Sequence, residues 1–355
     1  MASETKTLKA TCLCGTAAHT LNLPSSVFPL KAYICHCNSC RHTTGALFLS
    51  IILIPESTSY EPSAELLNKL VPFQFSKRLT YYHCATCGAL TLQHCWNDAS
   101  DPSKGHNWDL ATGSLEQADG VFEVQCHEHI ADTLDGGFSD FLPSINGKSL
   151  PRWTANPDSE DLPLYWSSPS RPQITPSSSD NLHAHCKCTG VEFWISRPSE
   201  RSKQAADKSC WWLQENGTKF TAGVCSCNSC RLDCGQEMIQ WAFVPTVDIS
   251  LDEKGEKGYE VPFGTLRAYQ SSGDVTRYFC GACGATVFFT CDERKDLVDV
   301  AVGMLDAAEG ARAESWLKFR TGRVSYREDA VPRAESFVLG VENGLKQFAE
   351  HQQQE

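Results

Sequence analysis

No stretch of this 355-residue chain is apolar for long enough to cross a bilayer. The longest run, 46–54, is broken by Ser50 and falls well short of the ~20 residues that a spanning helix needs. Residues 1–11 hold no apolar stretch of the export-signal type, so a cytoplasmic protein without a membrane anchor is expected. Positive charge is also scarce. Against 43 Asp and Glu stand 31 Lys and Arg, a net charge of −12, and the local basic residues Lys77, Arg78 and Lys203 make no stripe. A nucleic-acid partner needs a basic surface to meet its phosphates, so none is expected here. The length suits two domains of ordinary size, each able to bury a core.

Cysteine, by contrast, is abundant, and its spacing carries most of the information. Fourteen of the 19 cysteines form one pattern that occurs twice: Cys12-x-Cys14, Cys35-x-Cys37-x-x-Cys40 and Cys84-x-x-Cys87, then Cys186-x-Cys188, Cys225-x-Cys227-x-x-Cys230 and Cys280-x-x-Cys283. Short-spaced pairs in a chain without an export signal read as metal ligands before they read as disulfides. Seven thiolates per copy divide into four plus three. Zinc uses four protein ligands to close a structural site and three where a position stays open for water or substrate. In each copy, the C-x-C and C-x-x-C pairs are expected to form the structural site. The triplets Cys35, Cys37, Cys40 and Cys225, Cys227, Cys230 are expected to form reactive ones. A second structural zinc remains the alternative for each triplet. It is stronger in the second copy, where Cys234 stands four residues after Cys230, at the place of Thr44, and could be a fourth ligand.

More than cysteine repeats. Asn38-Ser39-Cys40-Arg41 returns as Asn228-Ser229-Cys230-Arg231, and a glycine and then a proline ten residues later follow in both: Gly45 and Pro55, Gly235 and Pro245. Cys87-Gly88-Ala89 returns as Cys283-Gly284-Ala285, and Gly113-Ser114-Leu115-Glu116 as Gly303-Met304-Leu305-Asp306. Duplication follows. The expected organisation is a first domain over 1–150, a Pro/Ser-rich linker or packed arm over 151–181, a second domain over 182–335 and a helical tail over 336–355. Segments 47–54, 238–244, 276–279, 286–290 and 297–302 are short, branched or aromatic and bounded by turn residues, which predicts strands. Helices are expected at 65–70 and, from apolar spacing, at 341–354. The first copy has His127 and His129 after its Gly-Ser-Leu-Glu turn, whereas 314–318 of the second has no histidine. A histidine beside a reactive zinc can ligate, move a proton or bind a carboxylate. Cys95, Cys126, Cys210 and Cys291 have no motif spacing.

With Cys12-Leu13-Cys14-Gly15, Cys35 to Arg41 followed by Thr44-Gly45-Ala46, Cys84 to Gly88, and Gly113 to Glu116, the chain resembles the glutathione-dependent formaldehyde-activating family, which includes centromere-protein-V-type domains. The resemblance covers nearly all of both copies. It implies a mainly β fold of two tandem Mss4-like zinc-binding domains with few helices. It further implies a structural and a catalytic zinc per domain, glutathione as thiol substrate and a small electrophile as its partner. It points to His127 as the catalytic histidine beside Cys35, Cys37 and Cys40, and to Arg41, Thr44 and Gly45 as groups that help to hold glutathione. The family's arginine before C-x-x-C is kept as Arg277 but is Tyr81 in the first copy. The expected function is a carbon-sulfur lyase or synthase acting on glutathione and an aldehyde, of the S-(hydroxymethyl)glutathione synthase type. The alternatives are a zinc-stabilised binding or scaffold module and glutathione-dependent modification of a larger metabolite.

Overall fold

A computed structural model describes residues 4–204 and 209–354. It is mainly β, and the duplication reappears in its topology. The first copy's seven-stranded sheet runs in the spatial order Leu70–Gln74, Leu79–Cys84, Leu90–Trp96, His106–Ala111, Leu49–Leu53, Leu30–Cys35, Phe122–Glu128. The second copy repeats this as Leu266–Ser272, Val275–Cys280, Thr286–Cys291, Leu297–Ala301, Ile239–Pro245, Lys219–Cys225, with Leu317–Phe319 parallel to the last strand as Phe122–Glu128 is in the first. Each copy also has an antiparallel hairpin ahead of its sheet, Thr5–Ala10 with His19–Pro24 and Asn181–His185 with Glu192–Ser196. The hairpin strands alternate buried and exposed residues, with Leu8, Ala10, Leu21 and Leu23 inward, as one-sided strands do. Central strands such as Leu297–Ala301 are buried throughout, and Val298, Val300 and Ala301 belong to the main hydrophobic core.

The copies share one continuous core, and the residues that repeat most clearly in the sequence form the seam between them. Gly303 N–H donates to Gly45 O at 2.8 Å, and Gly113 N–H donates to Gly235 O at 3.0 Å. The approach needs glycine: a Cβ on Gly303 would lie 2.2 Å from Ala46 O, and one on Gly113 would lie 2.5 Å from the Gln236 backbone. Arg41 crosses the seam to the carbonyls of Gly303 (3.2 Å) and Leu305, and Arg231 crosses back to Leu115 (3.1 Å) and Gly113. Such reciprocity is the self-complementary pattern of a two-fold dimer, here within one chain. Arg41, Thr44 and Gly45, expected at glutathione, are engaged at this seam. Arg41 is buried with its donors spent on the other copy and on Asn38, Gly45 meets the Thr286 and Gly303 backbones, and the Thr44 hydroxyl is tied up by the Ala46 N–H and by neighbouring carbonyls.

The joining segment is packed where it leaves the first copy. Arg152 is buried and pairs with Asp140 at 2.7 Å, Leu162 is buried, and the Tyr165 ring stacks on His351 at 4.0 Å. Trp153 pairs with Asp161 as an isolated bridge and exchanges hydrogen bonds with His127 and Ile130. The C-terminal helix starts earlier than expected, at Arg327, and runs to Gln352 with a break at Ala334 (φ −142°, ψ 47°), two residues after Pro332. At the break Arg333 enters the seam. It makes a bidentate pair with Glu237 (2.6 and 2.9 Å) and donates to Leu115 O and Thr112 O. Farther along, Gly340 and Gly344 lie against the backbone of Ser144 and Phe141, so the end of the second copy's sequence closes the first copy's core. Among the described residues, no helix is long and apolar enough to cross a membrane.

Candidate metal centres

Both C-x-C pairs sit in the turn of the leading hairpin rather than along a strand, and in both C-x-x-C pairs the first cysteine, Cys84 or Cys280, ends an aromatic strand and the second, Cys87 or Cys283, lies in the turn that follows. The fold brings these turns together. Cys12, Cys14, Cys84 and Cys87 have all sulfurs within 4.8 Å of one another, with 3.5 Å between Cys12 and Cys14 and between Cys14 and Cys84. Cys186, Cys188, Cys280 and Cys283 reproduce this, again with 3.5 Å contacts. Sulfurs on a tetrahedral zinc stand about 3.8 Å apart when each Zn–S bond is ~2.3 Å, so the donor sets fit that ion. Backbone N–H groups of Ala17 and Thr86 in one site, and of Val191 and Cys283 in the other, point at the sulfurs and favour thiolate.

The triplets are built on a strand, a turn and the start of a helix. Cys35 ends the strand Leu30–Cys35. Cys37 is the N-cap of the helix Asn38–Thr44 and accepts from Cys40 N–H at 3.3 Å. Cys225, Cys227 and Cys230 repeat this on the helix Asn228–Cys234, with the same 3.3 Å cap. Asp132 and Asp329 cap the two helices through Asn38 N–H (3.4 Å) and Asn228 N–H (3.1 Å). Three thiols so close cannot all ionise by themselves. Hydrogen bonds from Cys35 and Cys40 hold Cys37 down to about 3, while Cys35 is pushed well above the ordinary thiol value by its bond to Cys37. A divalent cation that replaces those protons suits this arrangement, and among the described residues four cysteine clusters could hold a metal ion, two of four sulfurs and two of three.

Above the triplets the copies diverge. In the first, the sulfurs open into a cavity of about 510 Å³ walled by Leu49, Ile51, Leu53, Phe75 and Leu79, backed by Tyr81 and Gln93, with Tyr33, Glu128, His129, Asn156 and Pro157 around it. Asn156 and Pro157 come from the packed arm. The Tyr81 hydroxyl is 3.8 Å from Cys40 Sγ, and Gln93 donates to buried Asp109 at 3.0 Å. In the second copy, strand register sets Trp241 where the first has Ile51, Phe243 for Leu53, Phe289 for Gln93 and Arg277 for Tyr81. Arg277 lies over the Phe289 ring, 3.5 and 3.6 Å from Cys230 Sγ, and pairs with buried Asp233 at 3.3 Å. Hydrogen bonds from Cys225 and Cys227, and then the Arg277 charge, hold Cys230 well below the ordinary thiol value.

Three expectations meet this geometry differently. Cys234 is not among the sulfurs that converge in the second triplet. Its Sγ accepts from Gln236 N–H at 3.4 Å and faces the Arg231 and Gln236 carbonyls, the same post the Thr44 hydroxyl fills in the first copy. His127 is fully buried on the opposite face of its strand. It bonds His36 Nε2 (2.9 Å) and Leu142 O (2.9 Å), and burial pushes it down to about 3. The histidine at the cavity is His129, which the left-handed backbone after the strand (φ 56°) turns to that side. Its counterpart is Tyr326 (φ 57°), since Cys35 pairs with Glu128 as Cys225 does with Ser325, so 314–318 is not the matching stretch. Strand alternation gives 127 and 129 the same parity, so only the left-handed residue that ends the strand at 129 separates them, and spacing does not record it.

A fifth cluster, His42, His185 and Asp306, also gathers three donor atoms at the seam. Its two rings are stacked at 4.1 Å and 9°, so an ion in the plane of one ring lies out of the plane of the other, and Arg41 is 3.7 Å from the carboxylate. Cys95, Cys126, Cys210 and Cys291 join no sulfur cluster among the described residues. The family described as glutathione-dependent formaldehyde-activating enzyme matches the chain twice, over residues 7–129 and 181–318. No individual curated protein matches it.

Proposed function

The chain belongs to the glutathione-dependent formaldehyde-activating enzyme family, and from that premise we propose a carbon-sulfur lyase or synthase that works in the first copy. The carrying observation is the asymmetry of the triplets: the Cys35, Cys37, Cys40 cluster faces an open cavity, while Arg277, Asp233 and Phe289 cover its counterpart. Zinc held by Cys35, Cys37 and Cys40 would supply Lewis acidity, lowering a thiol pKa or polarising a carbonyl. In the reaction the thiol of glutathione adds to an aldehyde carbon. The S–C bond forms, the thiol proton ends on the former carbonyl oxygen, and the reverse releases the aldehyde.

The chain's own groups orient and manage protons. His129 at the mouth is the group suited to take the thiol proton and return it. Tyr81 and Gln93 offer O–H and N–H donors at the rear of the cavity, where a developing oxyanion gains most from fixed dipoles. The second copy supports the first through the shared seam and core. Zinc as the ion, glutathione as the thiol and a cytoplasmic setting are parts of the same proposal.

The test compares Cys37→Ser with Cys227→Ser in the full metal-loaded chain, with adduct exchange followed by NMR, metal content by mass spectrometry and fold by thermal melting. Each variant is expected to lose one zinc equivalent. Turnover should fall at least ~100-fold in Cys37→Ser and by less than ~3-fold in Cys227→Ser, the scale set by loss of a catalytic contribution of several kcal/mol. The opposite pattern moves the reaction to the second copy. Loss in neither rejects an enzymatic role for the triplets.

A further inference from the structure

Formaldehyde has two heavy atoms, and the cavity beside the first triplet is about 510 Å³. That volume is of the size that takes a whole small molecule, for which roughly 300–1,000 Å³ is usual. Its walls are unsuited to a one-carbon aldehyde. Leu49, Ile51, Leu53, Phe75 and Leu79 line it, and Leu53 at the mouth is 41% exposed, an apolar side chain held out in water. Apolar surface of this extent stabilises only a ligand with carbon to place against it. Glutathione must enter the same cavity and accounts for part of its volume, but a charged, polar tripeptide gains little from these aliphatic and aromatic walls, and a bare C1 unit leaves them wet.

The second copy makes the same point by subtraction. The strands there have the same register, and the space is taken by the chain itself through Trp241, Phe289 and the Arg277 guanidinium, with Trp241 almost fully buried. Where the first copy has Ile51, Gln93 and Tyr81 at these places, the cavity is present.

We propose that this cavity is a specificity pocket for an aryl or branched-alkyl aldehyde. The apolar body of the electrophile fills the space between Ile51, Leu53, Phe75 and Leu79, and its carbonyl is directed toward the sulfurs and the Tyr81 hydroxyl. The proposal rests on the reading of the preceding section that glutathione is the thiol and that the first copy is the site. The bonds made and broken are those given there: S–C forms, the carbonyl becomes a hydroxyl that carries the thiol proton, and nothing is oxidised or reduced. Ile51 and Leu53 are then the specificity-determining positions, and Leu79 and Phe75 complete the wall.

Binding of two unreactive thioethers to the full metal-loaded protein, measured by calorimetry, tests this without turnover. S-benzylglutathione should bind at least ~30-fold more tightly than S-methylglutathione, the gain from burying one aromatic ring. Ile51→Trp, which installs the second copy's residue, should reduce that preference to ~3-fold or less. Should Ile51→Trp fail to fold or to hold zinc, Leu53→Asp at the exposed rim serves instead and should cut the preference at least fivefold. Equal binding of the two thioethers, or a benzyl preference that survives in a folded variant, overturns the specificity pocket while the glutathione reading stands. Binding of neither thioether overturns both.

Discussion

The two copies hold the same seven sulfurs on the same strand-turn-helix frame, and they differ in what stands over three of them. In the first, aliphatic residues, a phenol and an amide leave space at Cys40. In the second, Arg277 and Asp233 are packed onto Cys230 and two aromatic residues fill the remainder. A cation in hydrogen-bond reach of a sulfur compensates its charge and takes up the volume where a ligand would approach. The difference teaches which positions a duplicated fold can let diverge. Metal-holding and seam residues must be kept by both halves, because each half completes the other, whereas residues over the triplet are free to diverge.

The comparison predicts first that the four-sulfur sites are equivalent. Cys84→Ser and Cys280→Ser each remove a ligand from a site whose metal binding is also folding free energy, on the order of 10 kcal/mol. Because the core is continuous across the seam, either change should lower the melting of the whole chain as one transition in calorimetry. Two separate transitions, one unmoved, would mean that the halves fold independently.

A second break is aimed at the seam itself. Glu237→Ala leaves the buried Arg333 guanidinium without its bidentate partner. Removing one member of such a pair costs about 3–5 kcal/mol, read in denaturant titration. The double change Glu237→Leu with Arg333→Met should recover much of this, since both charges then leave the interior. A Glu237→Ala loss below ~1 kcal/mol would show that the seam pair is not what ties the helix Arg327–Gln352 to both copies.

The third prediction sharpens the contrast at the triplets. Arg277→Tyr gives the second copy the first copy's residue and leaves Asp233 buried without its cation. The second triplet's metal should then pass to a chelator ~100-fold faster, the equivalent of about 3 kcal/mol. Cys234→Ala should alter release less than ~3-fold, because its sulfur caps a turn. Fast release from Cys234→Ala would reinstate it as a ligand.

How much of this was legible in the sequence follows from the same division. The sulfur clusters were, because a zinc site made of two short-spaced pairs needs only local turns plus a closed loop, and spacing records both. The repeat of Arg41, Gly45 and the Gly113 turn was legible as well, but not its purpose. A residue present in both halves can serve a ligand or the partner half, and only the fold shows Arg41 spent on Gly303 and Leu305. His129 was missed for a local reason. The choice between it and His127, which share strand parity, depends on where the strand ends and on the left-handed residue that follows, neither of which spacing from a distant cysteine fixes. The cavity was invisible, since Ile51 against Trp241 or Gln93 against Phe289 reads as ordinary strand variation until the register is known.

The smallest expected effect lies behind the cavity, at one position with two solutions. Asp109 and Asp299 occupy equivalent places, both buried, but Asp109 is met by the neutral Gln93 amide and Asp299 by Arg294 at 2.7 Å. Burial pushes Asp109 up to about 7, against ~3.9 in an unfolded chain. A carboxyl whose folded value is raised binds its proton more tightly in the folded state. Its contribution to stability is therefore complete below about pH 4 and is lost as pH rises to about 7, with a slope of at most ~1.4 kcal/mol per pH unit. Asp109→Asn keeps a neutral group beside Gln93 and removes the titration, so melting temperatures between pH 5 and 7 should fall less with rising pH than in the parent, by about 1–2 °C per unit. Asp299 is also raised by burial, to about 6, with Arg294 opposing the shift, so Asp299→Asn should lower stability chiefly above about pH 6, where the carboxylate it removes is paired with Arg294. Parallel pH profiles for the parent and Asp109→Asn would mean that Asp109 is already ionised at pH 5, and that the rear of the first copy's cavity carries a charge.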